Sequence, residues 1–140
     1  MNITELLTDL ASNTNAIIRS IASRFNLTTS QAFNLLLIPF DGIPISNLAY
    51  KLGLDNSTLT RNIQKLEKLG LVNREPDKYD KRVQRVVLTK NGKSLVKSFS
   101  ENLDDKGSNI LDNIDLDTQE HMLTILEKLT WALSCEREKS

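Results

Sequence analysis

Cysteine and histidine are almost missing from this chain: 140 residues contain one of each, Cys135 and His121. A lone cysteine cannot close an internal disulfide or build a cysteine-based metal site. With so few ligands and nucleophiles, a zinc centre, a Cys-His pair and a histidine-dependent serine triad all drop out. No metal and no cofactor are expected, and catalysis is the weakest functional class. Long apolar runs are also missing. The longest candidate, LLLIPF at residues 35–40, is broken by Pro39 and falls far short of the roughly 18 apolar residues of a membrane span. The first residues, MNITELLTDL, are acidic where a secretory signal would be basic, and no small-residue cleavage site follows an apolar core. The expectation is one cytoplasmic domain with an ordinary core and no membrane partner.

What is present is a sorting of charge. The net formal charge is zero, with 18 basic and 18 acidic residues. Between Lys51 and Lys97, however, twelve basic residues face five acidic ones, a net +7, which leaves −7 on the two flanks. A basic module between acidic arms suggests a polyanion-binding surface in the middle, whereas an ordinary solvated helix face would need no partner.

Apolar residues at Ile3, Leu7, Leu10, Ile17, Ile18, Ile21 and Phe25 follow helical spacing and predict a long amphipathic helix over residues 3–25. Its stripe can be buried against a second subunit or within its own core. TTSQ at residues 28–31 offers a capping box, so a second helix starts at Thr28 and ends near Ile38, which Pro39 holds away from helical geometry. PFDGIP then reads as a loop.

The stretch from Ser46 to Thr89 organises the rest. Leu48, Ala49 and Leu52 make the inner face of a short helix that turns through Gly53, and Asp55 is placed to cap the next helix. At about 100° per residue, Ile63 and Leu66 fall within about 40° of Leu59, while Ser57, Arg61, Gln64 and Lys68 cluster on the opposite pole. Thr60 and Lys65 flank that polar face, and Asn56 and Thr58 stand at the helix start, the part that a recognition helix pushes deepest into the major groove. Arg61 can bond guanine with two donors and Gln64 can read adenine; the hydroxyls suit phosphate or base edges. The competing reading is the polar outer face of any surface helix. After Gly70, LVNRE and VQRVVLT read as two strands joined by PDKYDKR, a wing with Lys78, Lys81 and Arg82 near its tip. The fold class expected from these residues is mainly α with a small antiparallel β wing, a winged helix-turn-helix.

LEKLGLV followed by NREPDKYDKRVQRVVLTKNG resembles the multiple-antibiotic-resistance regulator (MarR) family over roughly a third of the chain. That resemblance implies that Arg82 enters the minor groove, where narrow A·T-rich DNA attracts arginine. It also implies that Asp80 holds the wing through an ion pair, with Arg74 as its partner here. The family commonly has arginine where this chain has Lys81, and lysine lacks the planar fork.

Thr89 can cap the next helix, which carries Leu95, Val96, Phe99 and Leu103 on one side, with Gly107 a weak point in its continuation. A final helix starts near Asp117 with Met122, Leu126, Leu129 and Leu133 in its stripe, joined by Ile125 and Trp131. In MarR relatives the first and last two helices intertwine in a homodimer. The resemblance thus implies a single MarR-type domain over 1–140, with 1–27 and 104–140 as the helical dimerisation region and 28–103 as the DNA-binding region. It implies a regulator, most often a repressor, on a near-palindromic operator of double-stranded DNA. A small, often phenolic or anionic effector would bind between the dimer helices and the winged module; constitutive DNA binding is the alternative. Some relatives sense peroxide through a cysteine near the N-terminus, where this chain has none; beside Cys135, Glu136 and Glu138 oppose thiolate formation. A winged helix used only as a protein-interaction module is the second reading, and it calls for an apolar or acidic recognition face.

Overall fold

Caps and apolar stripes set the helices of the computed structural model, which describes residues 1–139. Helix α1 (Ile3–Arg24) opens on Asn2, whose side chain accepts from Glu5 N–H while Glu5 reaches back to the Asn2 amide. Helix α2 (Thr29–Leu36) opens on Thr28 and Gln31, which form the reciprocal capping box expected of TTSQ. Strand β1 (Ile43–Pro44) leads directly into α3 (Ile45–Leu52), which ends at Gly53 in the left-handed region at φ 69°. Helix α4 (Asn56–Lys68) follows, then β2 (Val72–Pro76), β3 (Gln84–Leu88), α5 (Lys90–Asp112) and α6 (Leu116–Glu138).

The three strands form one antiparallel sheet in the order β1-β3-β2. Only two strands were expected. The third is two residues long and lies in the stretch that reads as a loop, because Ile43 and Pro44 gain strand character only by pairing with Val86 and Arg85 more than 40 positions later.

The chain divides into two units, residues 1–103 and residues 104 onward. In the first, the core gathers Ile21 of α1, Leu35 of α2, Leu48 of α3, Leu59, Ile63 and Leu66 of α4, Val72 and Val86 of the sheet and Phe99 of α5. Each such side chain contributes about 1.5–3 kcal/mol relative to exposure. Phe25 and Phe99 stack with ring centroids 5.8 Å apart. Asn34 is buried in this unit, and neither its side-chain oxygen nor its nitrogen has a protein partner.

Gly107 does not interrupt α5, which runs as one helix to Asp112. In the second unit Asp115 caps α6 through Thr118 N–H at 3.0 Å, and Gln119 Nε2 donates to the carbonyls of Leu111, in the last turn of α5, and of Ile114, in the connection that follows. No residue of α6 is buried; Leu116, Leu123, Ile125, Trp131 and Leu133 are all exposed. No helix among the described residues is long and apolar enough to cross a membrane.

Candidate nucleic-acid interface

Helix α4 is anchored on one side and open on the other. Leu59, Ile63 and Leu66 are completely buried, whereas Asn56, Ser57, Arg61, Gln64, Lys65 and Lys68 are exposed and Thr58 and Thr60 half-exposed. Asp55 sets the start of this face. Its Oδ1 accepts from Thr58 N–H at 2.7 Å and from the Ser57 hydroxyl at 2.8 Å. The Thr58 amide, the Ser57 hydroxyl and the Thr58 hydroxyl together hold the Asp55 carboxyl at a pKa of about 2. Thr60 donates its hydroxyl to the Asn56 carbonyl at 2.8 Å, leaving oxygen lone pairs outward, and Arg61 lies alongside with Nη2 3.5 Å from Thr58 Oγ1. At the far end the helix stops at Gly70, whose φ of 74° a side chain would resist.

The wing between β2 and β3 is an ordered turn. Asp77 Oδ2 accepts from the amides of Tyr79 (3.0 Å) and Asp80 (3.1 Å), while Val83 N–H donates to the Asp80 carbonyl and Asp77 N–H to the Val83 carbonyl, both at 2.9 Å. Those two amides, followed by Arg85, hold the Asp77 carboxyl below the usual carboxylate range. Lys78, Tyr79 and Lys81 are exposed at the tip.

Asp80 does form an ion pair in the wing, but its partner is not Arg74. Its carboxylate takes the Arg82 guanidinium with two contacts, Nε to Oδ1 at 3.0 Å and Nη2 to Oδ2 at 3.1 Å, as well as the Arg82 amide at 3.1 Å. The Arg82 guanidinium lowers the Asp80 pKa, and Asp80 in turn raises that of Arg82. The Arg82 side chain is still 91% exposed, so it is aimed without being covered. Arg74 sits on β2 and pairs across to Glu67 of α4, Nε to Oε1 at 2.7 Å. Two residues of separation suffice for Asp80 and Arg82, whereas Arg74 lies back along the strand against the recognition helix.

An open groove of about 770 Å³ separates α3, α4 and the wing, and Ser46, Asn56, Thr60, Arg74, Arg82 and Gln84 line it. It brings together residues predicted from both the helix and the wing. Ser46, Gln84 and Glu67 were missed, since nothing local in the sequence marks them. Arg61, Gln64, Lys65 and Lys68 lie along a separate, smaller hollow of the α4 surface, and Lys78, Asp80 and Lys81 line neither. Among the described residues, no three His, Cys, Asp or Glu side chains gather to hold a metal ion.

A small antiparallel sheet behind a helix-turn-helix, with a charged hairpin tip, is the winged helix-turn-helix. Within that class, residues 40–83 match the family model of MarR. The fold is similar to that of apo MarR from E. coli, at 23% identity over 92% of this chain and 96% of that one, with a TM-score of 0.78. It is similar to the transcriptional regulator SlyA at 20% identity, over 99% and 98% of the two chains and a TM-score of 0.82. It is also similar to S. aureus MepR, solved in complex with DNA, at 21% identity over 94% and 98% with a TM-score of 0.75. The resemblance read from the motif is borne out: the central segment matches the MarR family model, and the winged helix-turn-helix fold is shared along nearly the whole chain.

Proposed function

We propose that the protein is a sequence-specific DNA-binding transcription regulator, acting as a cytoplasmic homodimer and in the repressing sense. The observation that carries this reading is the exposed face of α4, where Ser57, Arg61, Gln64 and Lys68 stand opposite a fully buried apolar anchor and beside a wing that presents Arg82. Those groups match base edges and phosphates, while an interaction module would favour an apolar or acidic face. The MepR structure with DNA supports the same use of the fold in a relative.

Dimerisation through residues 1–27 and 104–140 is supported by apolar side chains left in water on each: Ile3, Leu6 and Leu10 on α1, and Leu123, Ile125, Trp131 and Leu133 on α6. Isolated helices do not keep such stripes exposed without a partner. Two recognition helices would then enter major grooves about 34 Å apart on a near-palindromic site. A small effector that favours one helix spacing would release the DNA in proportion to its preference for that state.

The test is selection of genomic fragments by the purified protein near physiological salt, followed by sequencing of the retained DNA. Enrichment of one near-palindromic site is expected. Retention without sequence preference would overturn specific regulation and favour the interaction module.

A further inference from the structure

We propose that Arg85 is a positioning residue for the wing, clamping its turn to the loop that leads into the helix-turn-helix; the consequence for binding rests on the DNA-reading function above. Arg85 lies on β3, the central strand, between Pro44 of β1 and Glu75 of β2. Val86 and Leu88 point into the core, so by strand alternation Arg85 takes the other face. There its Nη1 meets Asp77 Oδ1 at 3.3 Å and its Nη2 donates to the Asp41 carbonyl at 3.2 Å. Both side chains are largely withdrawn from water, Arg85 being 23% and Asp77 18% exposed, which sets this pair apart from a loose surface contact.

The backbone explains why such a clamp is needed. Strand β1 is two residues long and one of them, Pro44, has no N–H to give the ladder. Loop and sheet are brought together instead by Gly42, at φ 86°, where a Cβ would fall 2.6 Å from Val87 Cγ1. That close approach puts the Asp41 carbonyl within reach of Arg85. Ile45, two residues beyond Ile43, is already the first residue of α3. Asp77 completes the link: one carboxylate oxygen takes Arg85, and the other holds the amides of Tyr79 and Asp80 that shape the tip. A single guanidinium therefore ties the hairpin that carries Lys78, Lys81 and Arg82 to the start of the helix-turn-helix.

The test compares the full chain with Arg85→Gln and Arg85→Lys. In the free protein, hydrogen exchange over residues 77–83 is expected to accelerate several-fold in Arg85→Gln and less in Arg85→Lys, with the core helices unchanged. Unchanged exchange in the wing overturns the clamp, whether or not the protein binds DNA. On the selected operator, Arg85→Gln is expected to weaken binding by roughly 10-fold and to add nothing to Arg82→Ala, because it acts through the wing, while it adds fully to Arg61→Ala. Full additivity with Arg82→Ala overturns the positioning role. Faster wing exchange in a protein that selects no DNA would leave the clamp standing and remove the DNA-reading function instead.

Discussion

Glu67 of α4 and Arg74 of β2 form a 2.7 Å ion pair on the wall of the groove between recognition helix and wing. Each side chain keeps about a third of its surface in water, so the pair adds at most about 1 kcal/mol to stability. Its weight is electrostatic, because Glu67 neutralises a cation that otherwise faces the groove. Glu67→Gln is therefore expected to raise affinity for unrelated DNA and to steepen its salt dependence by about one phosphate contact, and Arg74→Ala to leave it flat or lower. Salt titrations of nonspecific binding check the sign; weaker nonspecific binding by Glu67→Gln would refute it.

On the proposed function, Arg61 and Arg82 are expected to divide the reading of DNA between groove and flank. Arg61→Ala is expected to cost about 1 to 3 kcal/mol of discrimination between operator and unrelated DNA if its contact is bidentate to a base. Arg82→Ala is expected to lose most on operators with A·T-rich flanks, where the minor groove is narrow. Affinity measured on four DNAs, operator and unrelated with either flank, separates the two. An equal loss for Arg61→Ala on all four would make it a phosphate contact.

Asp55 links the recognition helix to pH. Its folded pKa of about 2 lies below the ordinary 3.8. The ionised cap therefore stabilises the fold at every pH above about 4, and that contribution is lost as pH falls from there through about 2. The thermal midpoint of Asp55→Ala should lie below that of the parent at neutral pH, and the two should converge over this window. A gap that persists at pH 2 would mean that Asp55 acts otherwise than as a charged cap.

Gly92, in the first turn of α5, is a packing requirement. A Cβ there would collide with the Leu71 carbonyl oxygen, a backbone atom that cannot swing aside. Gly92→Ala is expected to destabilise by about 3 kcal/mol despite the better helix propensity of alanine. Urea unfolding gives the value; a neutral result would show that the α4–β2 turn yields easily.

Asn34 presents the opposite case, a buried amide with no protein partner for either polar atom. Asn34→Leu is expected to stabilise by about 1 to 2 kcal/mol, since it replaces a desolvated amide by an apolar side chain with the same number and branching of heavy atoms. Destabilisation in the same urea experiment would show that the amide has a function in the folded chain.

Much of this protein was legible because it is written over short distances. The Thr28–Gln31 box, the Asp55 cap and the buried line of Leu59, Ile63 and Leu66 all follow from i, i+3 and i, i+4 relations, which any window of the sequence displays. Strands β2 and β3 were visible for the same reason, through alternation and a turn rich in charged residues. The exposed polar face of α4 followed from the helix period once its buried side was known.

The pairings across the fold were decided only by tertiary structure. Nothing near Arg74 distinguishes Asp80 from Glu67 as its partner; the lie of β2 against α4 makes the choice. Pro44 argues against a strand until β3 arrives beside it, and Arg85 finds the Asp41 carbonyl across 44 positions of chain. The sequence by itself determined the helices, the basic centre and the chemistry of the exposed α4 face, because these depend on neighbours within a turn or two. Which charges meet, and what holds the wing to the helix-turn-helix, depended on segments that only folding brings together.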